Sequence, residues 1–350
     1  MKKKLLFING HLNVGGVEKS LADILAHMDY DKYDVDLLLF EDLGDYASDL
    51  PEQVHVRLAD LRDTYGSLPK VLLRCARKRD WFSFKMKLLL TCSGKTDARV
   101  LKYARKLLFG SRCYDVAVGF RPGICTNIAA FAARAEKKIT WWHHGEYNLD
   151  DAEERDYILA CREMDHVVSV SESCAAFLRQ RLPEFAGKVT VIPNFLSPDT
   201  IREKADRLAP YGGDQRFHIV TVGRLAPEKH VENCVYAART LREKGYGDFL
   251  WHIIGDGPER GRLEALAFEY GVSDLIRFEG RLTNPYPYVK HADLFVHPSY
   301  VESQGIVILE AMLLGVPCVV TRSLGPCARY RRNGMICETF WSFRNFMIFA

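Results

Sequence analysis

The chain has 350 residues, enough for two domains that each bury a core of their own. Its net charge of +3 gives no ground for a nucleic-acid partner, and no apolar stretch approaches the length that spans a bilayer. Ten cysteines without a Cys-x-x-Cys pair exclude a zinc knuckle or dithiol motif and fit a reducing compartment.

In chain order, "MKKKLLFING" imitates a signal peptide, but its apolar run stops at Ile8 and polar Asn9, His11 and Asn13 follow. It reads as a first buried strand, at 5–9. Further strands are expected at 34–40, 54–58, 115–120, 138–142, 166–170 and 188–192. A second series is expected at 218–223, 250–255, 276–280, 293–298, 317–321 and 335–337. Runs this apolar, separated by helical segments, indicate parallel sheets covered on both faces. The expected class is α/β with two doubly wound, Rossmann-like halves. "PNFLSPD" at 193–199 interrupts the pattern and divides the chain into domains 1–194 and 195–350. The segment 70–106 stands apart, with twelve Lys or Arg against Asp80 and Asp97. It reads as one or two basic amphipathic helices inserted in the first half. Trp81, Phe82, Phe84 and Leu88–Leu90 are interleaved with the charge, which suits an anionic membrane surface; the plainer reading is a solvated helical face.

Ligands of doubly wound sheets bind beyond the carboxyl ends of the strands, and several motifs fall there. "NGHLNVGGVEKSL" (9–21) follows the first strand, with Gly15 and Gly16 ahead of a helix from about Val17. It is neither the dinucleotide fingerprint nor a P-loop. "WWHHGE" (141–146) puts one of His143 and His144 in reach of a ligand as a proton or hydrogen-bond partner. "TVGRLAPEKH" (221–230) sets Arg224 and Lys229 after the turn at Gly223, before a helix that starts near Glu228. Two cations and a helix N-terminus suit a diphosphate. "IIGDGPE" (253–259), with Gly255, is a tight turn, and the backbone near Gly280 and Arg281 can lie flat against a base. "ESQGIVILE" (302–310) places Glu302 on a loop and Glu310 within a buried helix.

Together these pieces resemble the retaining glycosyltransferases of family four, which have the GT-B fold: two Rossmann-like domains facing a central cleft. The specific carriers are "GGVEKS", "VGRLAPEKH", "IIGDGPE" and "ADLFVHPSYVESQGIVILEAMLLGVPCVVT", with the Glu-x7-Glu block the most selective. The resemblance implies an N-terminal acceptor-side domain and a C-terminal domain that binds a nucleotide-sugar. It implies Glu302 on the sugar side and Glu310 at the ribose hydroxyls. Ser303, Gln304, Gly305 and Ile306 would supply N–H groups. Arg224 and Lys229 would hold the diphosphate, Gly16 would lie in the loop closing on it, and His144 would stand on the sugar side. Retention without a covalent intermediate is implied, with the leaving phosphate helping to deprotonate the acceptor. Neither metal nor cofactor is expected, since two cations can replace one metal ion. UDP is the expected nucleotide by frequency in the family, and a glycan or lipid-linked molecule of cell-surface polysaccharide synthesis the expected acceptor. The expected location is the cytoplasm, peripheral on the inner face of the membrane. Cys327, Ala328 and Arg329 depart from the family pattern, and the end at "TFWSFRNFMIFA" leads us to expect a shortened C-terminal domain. An epimerase on the same fold and an inactive nucleotide-sugar-binding remnant are the alternatives.

Overall fold

A computed structural model of the chain describes residues 1–59, 67–92, 98–144 and 149–321. It divides into two compact units between Phe195 and Leu196. In the N-terminal unit the strands are β1 (Lys3–Asn9), β2 (Tyr33–Leu39), β3 (Val54–Leu58), β4 (Tyr114–Gly119), β5 (Ala135–Trp142), β6 (His166–Ser169) and β7 (Val189–Val191). Its helices are α1 (Gly16–Ala26), α2 (Leu68–Lys78), α3 (Trp81–Cys92), α4 (Arg105–Phe109), α5 (Ile124–Asn127), α6 (Asp151–Arg162) and α7 (Glu172–Arg181). The strands form one parallel sheet in the order β3-β2-β1-β4-β5-β6-β7. Alternation explains why β1 reads as an unbroken apolar run. Leu6 and Ile8 enter one core with Phe109 and Ile128, while Leu5 and Phe7 enter the other with Leu21, Leu25 and Phe120.

The C-terminal unit contains α8 (Pro198–Ala205), β8 (Phe217–Val222), α9 (Glu232–Glu243), β9 (Phe249–Ile254), α10 (Arg260–Glu269), β10 (Ile276–Gly280), α11 (Tyr286–Lys290), β11 (Leu294–His297), α12 (Ile306–Leu313) and β12 (Cys318–Val320). Its parallel sheet has the order β10-β9-β8-β11-β12. Ile219, Trp251 and Ile253 face α9 and α10, and Val220, Ile254 and Phe295 face α12. Thr221 Oγ1 accepts from Trp251 Nε1 at 3.0 Å and donates to the Val296 carbonyl at 2.8 Å, tying three strands together below their carboxyl ends.

Local signals account for the helix starts. Asp150 and Glu153 form a reciprocal capping box at α6. Ser171 caps α7, and Ser197 caps α8 ahead of Pro198. Twelve of the thirteen expected strands are present; the thirteenth, at 335–337, lies outside the described residues, as do Cys327, Ala328, Arg329 and the whole C-terminal end.

The basic insertion differs from the expectation of one or two helices. It contains α2, α3, a 3-10 turn (Ala98–Ala104) and α4. Its apolar side is used for structure, because Met86, Leu101 and Leu108 share the core of Leu6 and Ile8 and Phe82 packs against that core. Phe82 is therefore not available to a membrane. Leu73, Trp81 and Leu88 remain exposed, at 55%, 61% and 40%; the side chains of Leu89 and Leu90 lie outside those described. Among the described residues no helix is long and apolar enough to cross a membrane.

Candidate active site

The C-terminal sheet builds outward from β8 through β9 to β10, then returns to place β11 on the other side of β8. The strand order therefore reverses between β8 and β11, the position where open α/β sheets form a ligand crevice. Gly223 and Arg224 follow β8, and the loop 298–305 follows β11. The loop after β8 is in close backbone contact with the loop after β9. Gly255 has φ +145°, and a Cβ there would lie 1.9 Å from the Gly223 carbonyl oxygen. At Gly257 a Cβ would lie 2.3 Å from the Leu225 carbonyl oxygen. Gly255 N–H donates to the Gly280 carbonyl at 2.8 Å. Packing alone thus demands glycine at 255, whatever else the loop does.

The helix expected near Glu228 starts later. Pro227–Lys229 is a single 3-10 turn, His230 takes the left-handed conformation with φ +47°, and α9 begins at Glu232. That kink separates Lys229 from the α9 N-terminus and leaves its ammonium free to turn toward β11. Lys229 Nζ lies 2.6 Å from Glu302 Oε1, and His297 Nε2 lies 2.6 Å from the same oxygen. Sequence reasoning missed His297; the signal was a histidine at the end of a buried strand, five residues before Glu302. Burial by itself would raise the Glu302 carboxyl. The hydrogen bond from His297, and then the Lys229 ammonium, outweigh burial and hold it below the usual carboxylate range. The loop is anchored below: Ser299 Oγ donates to the Val301 carbonyl at 2.9 Å, and Thr321 Oγ1 donates to the Ser299 carbonyl. Arg224 is more exposed and pairs with Glu228 at 2.7 Å.

Gly305 ends the loop with φ +67° and opens α12. Ser303 is half-buried; Gln304 is buried, as is Glu310 within the helix. Tyr286 Oη, on α11, donates to Glu310 Oε1 at 2.9 Å, a partner not foreseen from sequence. The structure thus brings Lys229, His297 and Glu302 together and sets Glu310 apart on its helix. Arg281 is exposed just beyond β10.

In the N-terminal unit the order reverses between β1 and β4. Gly15 is extended and Gly16 begins α1, whose first turn carries Glu18. Glu18 is buried and accepts from Arg121 Nη1 at 2.9 Å, another pair not assigned from sequence. His143 packs on Phe120 (ring centroids 4.8 Å apart) and lies nearly parallel to Trp141 at 6.3 Å. Burial, then the charges of His144 and Arg121, push its imidazole down to about 3 against a hydrogen bond to the Phe120 backbone. His144 is half-buried, edge-on to Trp142, so it is the more accessible of the pair. Residues 145–148 lie outside the described residues. Among those described, no group of three His, Cys, Asp or Glu side chains is placed to hold a metal ion.

Comparison with known proteins gives two consecutive matches. The family model "Glycosyltransferase Family 4" matches residues 14–200, more than half the chain, and "Glycosyl transferases group 1" matches residues 209–339. The lipopolysaccharide core biosynthesis glycosyltransferase LpsE of Rhizobium meliloti is 38% identical over 122 residues, which span 34% of this chain and 34% of LpsE. The 2-deoxystreptamine glucosyltransferase of Streptomyces kanamyceticus is 32% identical over 176 residues, 48% of this chain and 45% of that protein. The chain is thus matched to between a third and a half of the length of these curated relatives. Among solved structures, Anabaena HepE in complex with UDP and glucose aligns with a TM-score of 0.66 at 19% identity, covering 92% of this chain and 81% of HepE. WaaG, a glycosyltransferase involved in lipopolysaccharide biosynthesis, aligns with a TM-score of 0.61 at 16% identity, covering 93% of this chain and 82% of WaaG. At such identities these two likenesses concern the fold, which is GT-B.

Proposed function

The chain belongs to glycosyltransferase family 4, and from that premise we propose that it transfers a sugar from a nucleotide-diphosphate donor to a glycan or lipid-linked acceptor, with retention of anomeric configuration. The observation that carries this reading is the cluster of Lys229, His297 and Glu302 at the β8/β11 reversal, with α12 starting four residues after Glu302. As the sugar–phosphate bond breaks, negative charge grows on the departing diphosphate. The Lys229 ammonium, the Arg224 guanidinium and the N–H groups leading into α12, from Ser303 to Ile306, are the donors for that charge. Glu302 faces the positive charge that develops on the transferred sugar. Glu310 accepts from the ribose hydroxyls. The acceptor oxygen forms the new bond on the face the diphosphate leaves, and its proton passes to the departing phosphate. This assigns charge neutralisation to two side-chain cations rather than to a metal ion, and the nucleotide-sugar is a substrate, so no cofactor is invoked.

Several further assignments belong to the same reading. The C-terminal unit binds the donor, Gly15 and Gly16 are assigned to the donor diphosphate, and His144 to the sugar. Gly223, Gly255 and Arg281 shape the base and ribose site. UDP is the nucleotide of choice, as the HepE complex contains UDP and glucose. The relatives named for lipopolysaccharide biosynthesis support a cell-surface polysaccharide or lipid-linked acceptor. The same reading assigns the protein to the cytoplasm, with α2 and α3 against an anionic membrane face.

Calorimetric titration of UDP, GDP and ADP tests the donor site. One of them binds the wild type, and Lys229→Ala loses about 1.5–3 kcal/mol of that affinity, the worth of a charged hydrogen bond. Arg224→Ala loses less, being more exposed. Unchanged affinity in Lys229→Ala removes Lys229 from the diphosphate site.

A further inference from the structure

Glu302 Oε1 has two donors at the same distance, 2.6 Å, but they differ in mobility. Lys229 reaches it on a long flexible stem from a 3-10 turn, with 23% of its side chain exposed. His297 is the last residue of β11, with 5% of its side chain exposed. Its backbone is paired with Val320, its carbonyl accepts from Thr321 N–H at 3.1 Å, and its ring lies parallel to Phe295. One partner can swing and the other cannot.

A carboxylate only accepts, so His297 must carry its proton on Nε2. Its Nδ1 is buried and meets no hydrogen-bond partner among the described residues. An unmet lone pair costs less there than an unmet N–H, which selects the neutral Nε2–H tautomer. His297 therefore holds Glu302 without neutralising it. The neutralising charge is that of Lys229, the residue assigned above to the diphosphate. When Lys229 turns to a diphosphate, a mostly buried carboxylate on a loop would be left without a donor unless His297 stays. Among the described residues of this corner, Arg224 pairs with Glu228, and the His230 ring meets Glu232 on α9.

We propose that His297 is a positioning residue for Glu302, keeping the ionised carboxylate in place while Lys229 exchanges it for the donor diphosphate. This rests on the donor-site reading given above.

The test compares His297→Phe, which keeps a ring beside Phe295 but has no donor, with His297→Gln, whose amide can supply an N–H. Melting curves first establish that both fold. In His297→Phe, kcat is expected to fall about 10- to 100-fold while UDP affinity stays within about threefold of wild type. The acid limb of its kcat profile moves to higher pH, because Glu302 has lost a donor. His297→Gln recovers most of the loss. Equal losses of kcat and UDP affinity, an unmoved acid limb, or a glutamine variant no better than phenylalanine would overturn the proposal. A second readout is independent of turnover. Nitrogen-15 spectra of histidine-labelled protein should show His297 as the Nε2–H tautomer, with and without saturating UDP. A Nδ1–H tautomer refutes the role even in a protein without turnover. Failure of UDP and of every other nucleotide to bind, with the Nε2–H tautomer present, counts against the donor site instead.

Discussion

Glu302 and Glu310 belong to one sequence block but to different electrostatic settings. The first accepts from His297 and Lys229 on a loop, and the second accepts from the phenol of Tyr286 on α11. Glu310→Ala is therefore expected to weaken binding of the free nucleoside diphosphate, since the ribose is common to donor and product. Glu302→Ala should lower kcat more than nucleotide affinity; equal losses of affinity in both would contradict this division. His143 makes a separate prediction. Its imidazole is held at about 3, well below the ordinary 6.5, so the folded protein binds fewer protons than the unfolded chain between those values. Stability should fall as pH drops through that window, by up to about 1.4 kcal/mol per pH unit from this group. His143→Phe, which keeps a ring against Phe120, should flatten the decline, read by urea unfolding from pH 6.5 to 4.5. Identical slopes would mean that His143 is not the source. The sequence named the "WWHH" run but left open which histidine is accessible. Neighbouring strand residues point to opposite faces, and the packing of Phe120 decides which face is closed.

At the scale of elements, the strands were legible because an apolar run bounded by Gly, Pro and charge has few other uses. The start of α9 was not, because Pro227 signals a helix that His230 then breaks after one 3-10 turn. That break matters, since it lets Lys229 meet Glu302. The capping box of α6 predicts that Asp150→Ala costs about 1 kcal/mol in urea unfolding. A loss below a few tenths of that would leave the cap without energetic weight. Gly255→Ala should be far more damaging, since both its positive φ and the Gly223 carbonyl oppose a side chain. For α2 and α3, the packing of Met86 and Phe82 uses much of the apolar surface, while Leu73, Trp81 and Leu88 stay outward among Arg77, Lys78, Arg79 and Lys85. Each basic residue near an anionic surface contributes about 1 kcal/mol. Sedimentation with anionic but not neutral vesicles, weakened by salt and by changing Arg77, Lys78 and Arg79 to glutamate, is the expected result. Equal partitioning to both would reduce these helices to solvated surface.

At the scale of the whole molecule, alternating strands and helices announced two doubly wound halves, and each unit has its own parallel sheet with a core on both faces. Strand order was not written in the periodicity. The return from β10 to β11 across β8 is set by how the helices cover the sheet, and it determines that the loops carrying Lys229 and Glu302 adjoin. The central claim is that this corner serves transfer from a nucleotide-diphosphate sugar. Its most direct test is turnover of a panel of nucleotide-sugars with mixed glycan and lipid-linked acceptors, followed by proton NMR of the anomeric centre. The account predicts release of nucleoside diphosphate, a product with the donor's anomeric configuration, and loss of both in Lys229→Ala. An inverted product, or turnover indifferent to Lys229→Ala, would contradict it.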